Sequence, residues 1–327
     1  MFRKIALLLL FFFASNCLAA ETPVRLINEW RDAGGPFSTL TVHRTRSFCF
    51  LSGVIRGKHK GLFLSLGPAY HPAFRQIFTA ATSTWPVRVE MKASGEMEWS
   101  GGDKGVRWIS LSNVVYSTFR GKRLDMPPDV YSRSGDIAAP YVVKEGNICV
   151  VGGSLAAPRW GLVAKLPKAC RPKARLVFTV NNHDWPARVD ILPDGKILWL
   201  GGHGDKPWMS LGGIIFSTVG GKPLTLESGW KNLGQDHHKA YFRKQQGLVV
   251  LGGSIKPGKW DHIASLPRDF RPTKRLVYMV NNMHQAARID LTPDGRVLFK
   301  RGRKKPGWLS LDGIVFCPEP LRRIPGW

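Results

Sequence analysis

The chain repeats itself at a fixed interval of 100 residues, and the register never slips. Trp108-Ile109-Ser110-Leu111 returns as Trp208-Met209-Ser210-Leu211 and again as Trp308-Leu309-Ser310-Leu311. Ten columns are identical in all three copies, those headed by Gly53, Leu66, Pro72, Arg75, Arg88, Gly95, Gly102, Trp108, Ser110 and Leu111. Such self-similarity requires three copies of one fold. Each copy is long enough to bury a core of its own, unlike the roughly 20- to 50-residue repeats of a solenoid. We take unit 1 as 21–120, unit 2 as 121–220 and unit 3 as 221–327.

Within a unit the apolar period is two, the mark of strands with one buried face. In Ala187-Arg188-Val189-Asp190-Ile191 apolar residues alternate with Arg and Asp, and 87–91 and 287–291 repeat the pattern. Pro193-Asp194-Gly195 and Pro293-Asp294-Gly295 follow as tight turns, glycine supplying the positive φ, and 196–200 and 296–300 resume as return strands. Further strands are expected at 148–151, 162–166, 176–180 and 213–217, with counterparts in the other units. No long 3.6-residue pattern appears. The fold class expected is all-β, three tandem β-sandwich or jelly-roll-like domains of about 100 residues.

The string Leu166-Pro167-Lys168-Ala169-Cys170-Arg171-Pro172, the Asp-Gly hairpin after it, and Trp208-Met209-Ser210-Leu211-Gly212-Gly213-Ile214 together resemble a β-rich domain found near the ends of bacteriophage tail-fibre and receptor-binding tip proteins. Unit 3 carries the same pattern in Leu266-Pro267-Arg268-Asp269-Phe270-Arg271-Pro272 and Trp308-Leu309-Ser310-Leu311-Asp312-Gly313-Ile314. Unit 1 departs from it at Gly67, His71 and Ser94. The resemblance implies surface recognition, often of carbohydrate, and usually a trimer. Three copies in one chain would then pack about a pseudo-threefold axis. The other arrangement is three beads on linkers at 120–129 and 220–229.

Residues 1–20 read as a secretory signal peptide, with Arg3 and Lys4 ahead of an apolar run from Ile5 to Phe13 and small residues at Ala19-Ala20. The expected product is secreted, with no membrane span. Cys49 and Cys149 occupy the same column, so Cys149 with Cys170 is the one bridge possible inside a unit; free buried thiols are the other reading.

Charge is unevenly placed. Units 1, 2 and 3 carry 13, 13 and 20 Lys and Arg against 7, 8 and 8 Asp and Glu. Part of the excess is a loop of Lys300, Arg301, Arg303, Lys304 and Lys305, a candidate for binding polyanions. Trp85 and Trp185 precede Pro in the loop entering the Arg88 and Arg188 strands. Beside them stand Asn181, Asn182, His183 and Asp184, and in unit 3 Asn281, Asn282 and His284. Indole, amide, imidazole and carboxylate together are what a sugar site uses. Trp108, Trp208 and Trp308 read as packing anchors. Arg88, Arg188 and Arg288 should pair with Glu90, Asp190 and Asp290 two residues on. No catalytic pair, metal-ligand spacing or phosphate-binding loop stands out, so neither enzymatic activity nor a cofactor or metal is expected.

These features together predict a non-enzymatic recognition or adhesion protein whose partner is an extracellular glycan or acidic polysaccharide. The second reading is a structural extracellular-matrix component, in contact with other matrix components or mineral. Nucleic acid is not the expected physiological partner.

Overall fold

The computed structural model describes residues 24–103, 105–133, 135–304 and 307–318. The signal-peptide segment 1–20 lies outside the described residues. The fold is all-β, its helical content confined among the described residues to three short 3-10 turns at Pro68–Tyr70, Lys168–Cys170 and Arg268–Phe270. Each unit is a sandwich of two antiparallel sheets. In units 2 and 3 the larger sheet has seven strands and the smaller four; in unit 1 they have eight and three.

The alternation read from the sequence builds the larger sheets. Leu176–Asn182 pairs in register with Trp185–Ile191, which pairs in turn with Lys196–Gly201. The Asp-Gly turns form as expected, with φ of +89° at Gly195 and +90° at Gly295. Glycine is required there twice over, because a Cβ at Gly195 would also lie 2.9 Å from the Leu166 carbonyl oxygen. That approach serves a hydrogen bond from Leu166 N–H to Gly195 O at 2.8 Å, repeated at Leu66 and Gly95 and at Leu266 and Gly295. Two of the identical columns are thus one contact.

Each sandwich has its own core. Trp99 and Trp199 are fully buried in those of units 1 and 2, and each indole N–H donates to a carbonyl two residues on, at 2.9 Å. The columns 49 and 70 belong to each core and are filled three ways: Cys49 and Tyr70 in unit 1, a Cys149–Cys170 disulfide in unit 2, and Val249 and Phe270 in unit 3. Cys49 is a buried free thiol whose pKa burial pushes up to about 12.

The units close into a ring. Backbone bridges join Arg75 to Ile137, Arg175 to His237, and Arg275 to Phe37, so unit 1 meets unit 2, unit 2 meets unit 3, and unit 3 returns to unit 1. The linkers are strands of the following unit, not tethers: Lys122–Arg123 pairs with Tyr141–Glu145, and Lys222–Pro223 with Tyr241–Gln245. The smaller sheets meet in a cluster that no unit owns, including Phe48 and Phe50, Ile148 and Val150, and Leu248 and Val250.

The identical columns explain how the ring is sealed. Ser110 Oγ donates to Val277 O and Ser210 Oγ to Ile77 O, both at 2.6 Å. In unit 3 the serine turns to Asp312, whose buried carboxylate accepts from Ser310 Oγ, Val177 N and Gly253 N, each at 2.8 Å. The tryptophans expected as packing anchors lie half-buried between units. Arg288 stacks on Trp108 at 4.7 Å, Arg88 on Trp208 at 5.7 Å and Arg188 on Trp308 at 4.9 Å. These arginines also make the expected pairs, Arg188 and Arg288 gripping the fully buried Asp190 and Asp290 through two hydrogen bonds each. Each ion pair is therefore clamped against a neighbouring indole.

Candidate functional site

Ring closure sets the inner strands Gln76–Thr82, Leu176–Asn182 and Leu276–Asn282 against one another. The hairpins they begin therefore end together. In units 2 and 3 the turns have two residues, His183-Asp184 and Met283-His284, with φ of +56° at His183 and +57° at Met283. Glycine is usual at the first position of such turns. Unit 1 has a wider tip, in which Thr82 Oγ1 donates to Trp85 O at 2.6 Å.

Each tip leans over the unit before it. Asp184 reaches across to Arg88 at 3.4 Å, and its carboxylate occupies the space a Cβ on Gly101 would need. His284 stands likewise over Gly201, its Nδ1 3.0 Å from where a Cβ would be. In unit 3 this column is Arg301, which extends to unit 1 and donates to Ser83 O at 2.7 Å.

Three clefts open between the tips, and divergence of the copies has made them chemically unlike. The cleft between units 1 and 2, about 530 Å³, has Trp85 and Trp185 as walls, with Asp103 and Asp184 between them. That between units 2 and 3, about 440 Å³ and also lined by Trp85 of unit 1, joins Trp160 and Trp185 to His203, His284 and Gln285. That between units 3 and 1, about 250 Å³, sets Trp85 and Thr84 against Arg288, Arg301 and Arg303. Trp85, Trp160 and Trp185 are 56 %, 49 % and 49 % exposed, unlike the buried indoles of the cores. Exposed flat rings beside hydrogen-bonding groups bind ligands that have an apolar face and a polar edge.

The structure brings Trp85, Trp185, Asp184, His284, Arg301 and Arg303 together in these clefts. The four asparagines are a correction to the expected ligand contacts. Asn181, Asn182, Asn281 and Asn282 are buried, and two of them tie down the facing loop. Asn182 Nδ2 donates to Lys206 O and Trp208 O at 3.2 and 2.6 Å, and Asn282 Nδ2 to Arg303 O at 2.8 Å. They shape the clefts from behind. His183 packs on Trp208 at 4.2 Å, and burial, helped by Arg88 and Lys206, lowers its pKa. Lys300 points elsewhere, 3.9 Å from Asp261, while Lys304 is exposed and Lys305 lies outside the described residues.

Trp160 and His203 are site residues the sequence reading missed. The Trp160 column recurs as Trp260, which packs edge-on against Trp230 at 5.0 Å as a core residue does. Unit 2 has Val130 in place of Trp230, so Trp160 lacks that partner and faces the cleft. The missing partner was the available signal. No protein family, curated protein or solved structure matches the chain.

Proposed function

We infer that this is a secreted recognition protein that binds a glycan across the joined hairpin tips. The observation carrying this reading is the convergence of three exposed tryptophans, from two units, on polar clefts about one axis. Indole faces stack on the apolar faces of sugar rings, while Asp103, Asp184, His203 and Gln285 offer hydrogen bonds to hydroxyl groups. Tips fixed by ring closure are preorganised, so little ordering opposes binding. The Cys149–Cys170 disulfide supports export, since such bonds persist in oxidising compartments. Among the described residues no helix is long and apolar enough to cross a membrane.

Calorimetric titration of the purified chain with neutral oligosaccharides tests this reading. Saturable binding that survives high salt and is lost in Trp85→Ala/Trp185→Ala supports it; unchanged binding in that variant ends it. The second reading, electrostatic adhesion within an extracellular matrix, draws on the exposed Arg301, Arg303 and Lys304. It requires broad, salt-sensitive adsorption that disappears when those residues are neutralised.

A further inference from the structure

We propose a separate anion-binding cleft on the flank of unit 1, built for a sulfated or carboxylated polysaccharide. The cleft, about 750 Å³, is rimmed by Arg31, Arg56, Lys58 and Arg107, with Glu29 beside them. Its floor is Val106 and Gly57. Gly57 lies so close on the indole of Trp30 that a Cβ there would collide with the ring, which keeps the floor flat and apolar.

The rim is arranged against stability. Arg31 and Arg56 are direct cross-strand partners in the pair formed by Arg31–Asp32 and Val54–Arg56. Partners in register project from one face, where like charges destabilise the sheet. The nearby Asp32 is already engaged, accepting Leu40 N–H at 2.7 Å. Backbone strain adds to this, since Asn28 and Glu29 hold φ of +53° and +64° in succession. Unit 3 places Gly229 in the second of these positions. A left-handed Glu costs about 1 kcal/mol, and such strain gathers at binding sites.

The other units show that the fold does not need these charges. The columns of Arg31, Arg56, Lys58 and Arg107 hold Tyr131, Ala156, Pro158 and Pro207 in unit 2, and Lys231, Lys256, Gly258 and Gly307 in unit 3. In these four columns the same scaffold thus carries four, none or two cations. The unit 1 set also runs on. Arg56 lies opposite Trp108, Arg288 of unit 3 stacks on Trp108 at 4.7 Å, and Arg288 lies opposite Arg301. The flank cleft therefore connects along the Trp108 seam, where Arg288 is paired with Asp290, to Arg301 at the basic tip cleft, which suits an extended chain better than a single ion. Guanidinium forks suit sulfate and carboxylate alike. Trp30 is buried under Gly57, so the cleft offers no platform for stacking bases, which favours polysaccharide over single-stranded nucleic acid.

The test uses the full chain and four probes: a sulfated oligosaccharide, a polygalacturonate oligosaccharide, neutral dextran, and a single-stranded oligonucleotide of equal charge. Arg31→Ser/Arg56→Ser should weaken binding of at least one anionic oligosaccharide by about tenfold or more. The two anionic arms tell sulfate from carboxylate recognition. The salt dependence should become shallower by about one unit of slope per lost contact. Lys231→Ser/Lys256→Ser should change binding by less than about threefold, since only two cations stand there. With repulsion removed, the arginine variant should unfold at an equal or higher denaturant concentration. Unchanged affinity, an equal loss in the lysine variant, a less stable arginine variant, or oligonucleotide binding as tight as the oligosaccharide would each overturn the proposal. Binding of neutral dextran, and its loss in Trp85→Ala/Trp185→Ala, reports on the tip clefts, while the anionic probes with Arg31→Ser/Arg56→Ser report on the flank, so failure there is distinct from failure here.

Discussion

The Ser110 hydroxyl donates to the Val277 carbonyl oxygen at 2.6 Å across 167 positions of sequence, joining units that are not consecutive in the chain. It is one of the bonds that turn a row of domains into a ring. Ser110→Ala should leave that buried carbonyl without its partner and lower stability by about 1–3 kcal/mol. Urea unfolding followed by tryptophan fluorescence measures the loss, and faster proteolysis near the unit boundaries should accompany it.

Asp312 seals its interface by accepting three hydrogen bonds, from Val177 N, Gly253 N and Ser310 Oγ. In Asp312→Asn a donor amide replaces one acceptor oxygen and faces N–H or O–H groups, so a loss of about 2 kcal/mol is expected. Asp312→Gly restores the residue of unit 2 and frees Ser310 to reach the Val177 carbonyl. The glycine variant should therefore be the more stable of the two in the same unfolding assay.

The Cys149–Cys170 bridge closes a loop of 21 positions, which by loop-closure entropy contributes about 3 kcal/mol. Cys149→Val/Cys170→Phe installs the residues that unit 3 carries in the same columns. It should lose no more than that amount, while Cys149→Ala/Cys170→Ala loses more by leaving a cavity. Thermal unfolding of both variants, with and without reductant, separates the covalent part from the packing part.

His43 stacks on Phe50 with ring centres 4.6 Å apart, and burial lowers its pKa from 6.5 to about 4. The unfolded chain therefore binds this proton more readily than the folded one. The folding stability tied to His43 is complete above pH 6.5 and lost as pH falls toward 4, by about 3 kcal/mol in all. His43→Phe should remove that part of the acid sensitivity, seen as a smaller difference in urea midpoint between pH 7 and pH 4.

Features set by local rules were legible in the sequence. The alternation through 187–191 fixed a strand, and Gly195 fixed its turn, because both depend on neighbours along the chain. The arginine pairs with Asp190 and Asp290 followed from spacing alone. What was not legible depends on distant partners. Asn182 has the composition of a ligand loop, and it is buried because Lys206 and Trp208 offer it carbonyl oxygens. The direction of ring closure was hidden for a related reason. Ser110 and Ser210 bind backbone oxygens, which every residue carries and no sequence pattern marks.

The three clefts at the hairpin tips differ because the copies that form them are joined in one chain and have diverged. A trimer of identical chains would present one cleft three times over, and a bound polymer could begin at any of them. Here acidic, imidazole and basic clefts succeed one another in a fixed rotational order. A polymer laid across them therefore finds different groups when reversed, which gives the surface the means to tell one end of a chain from the other.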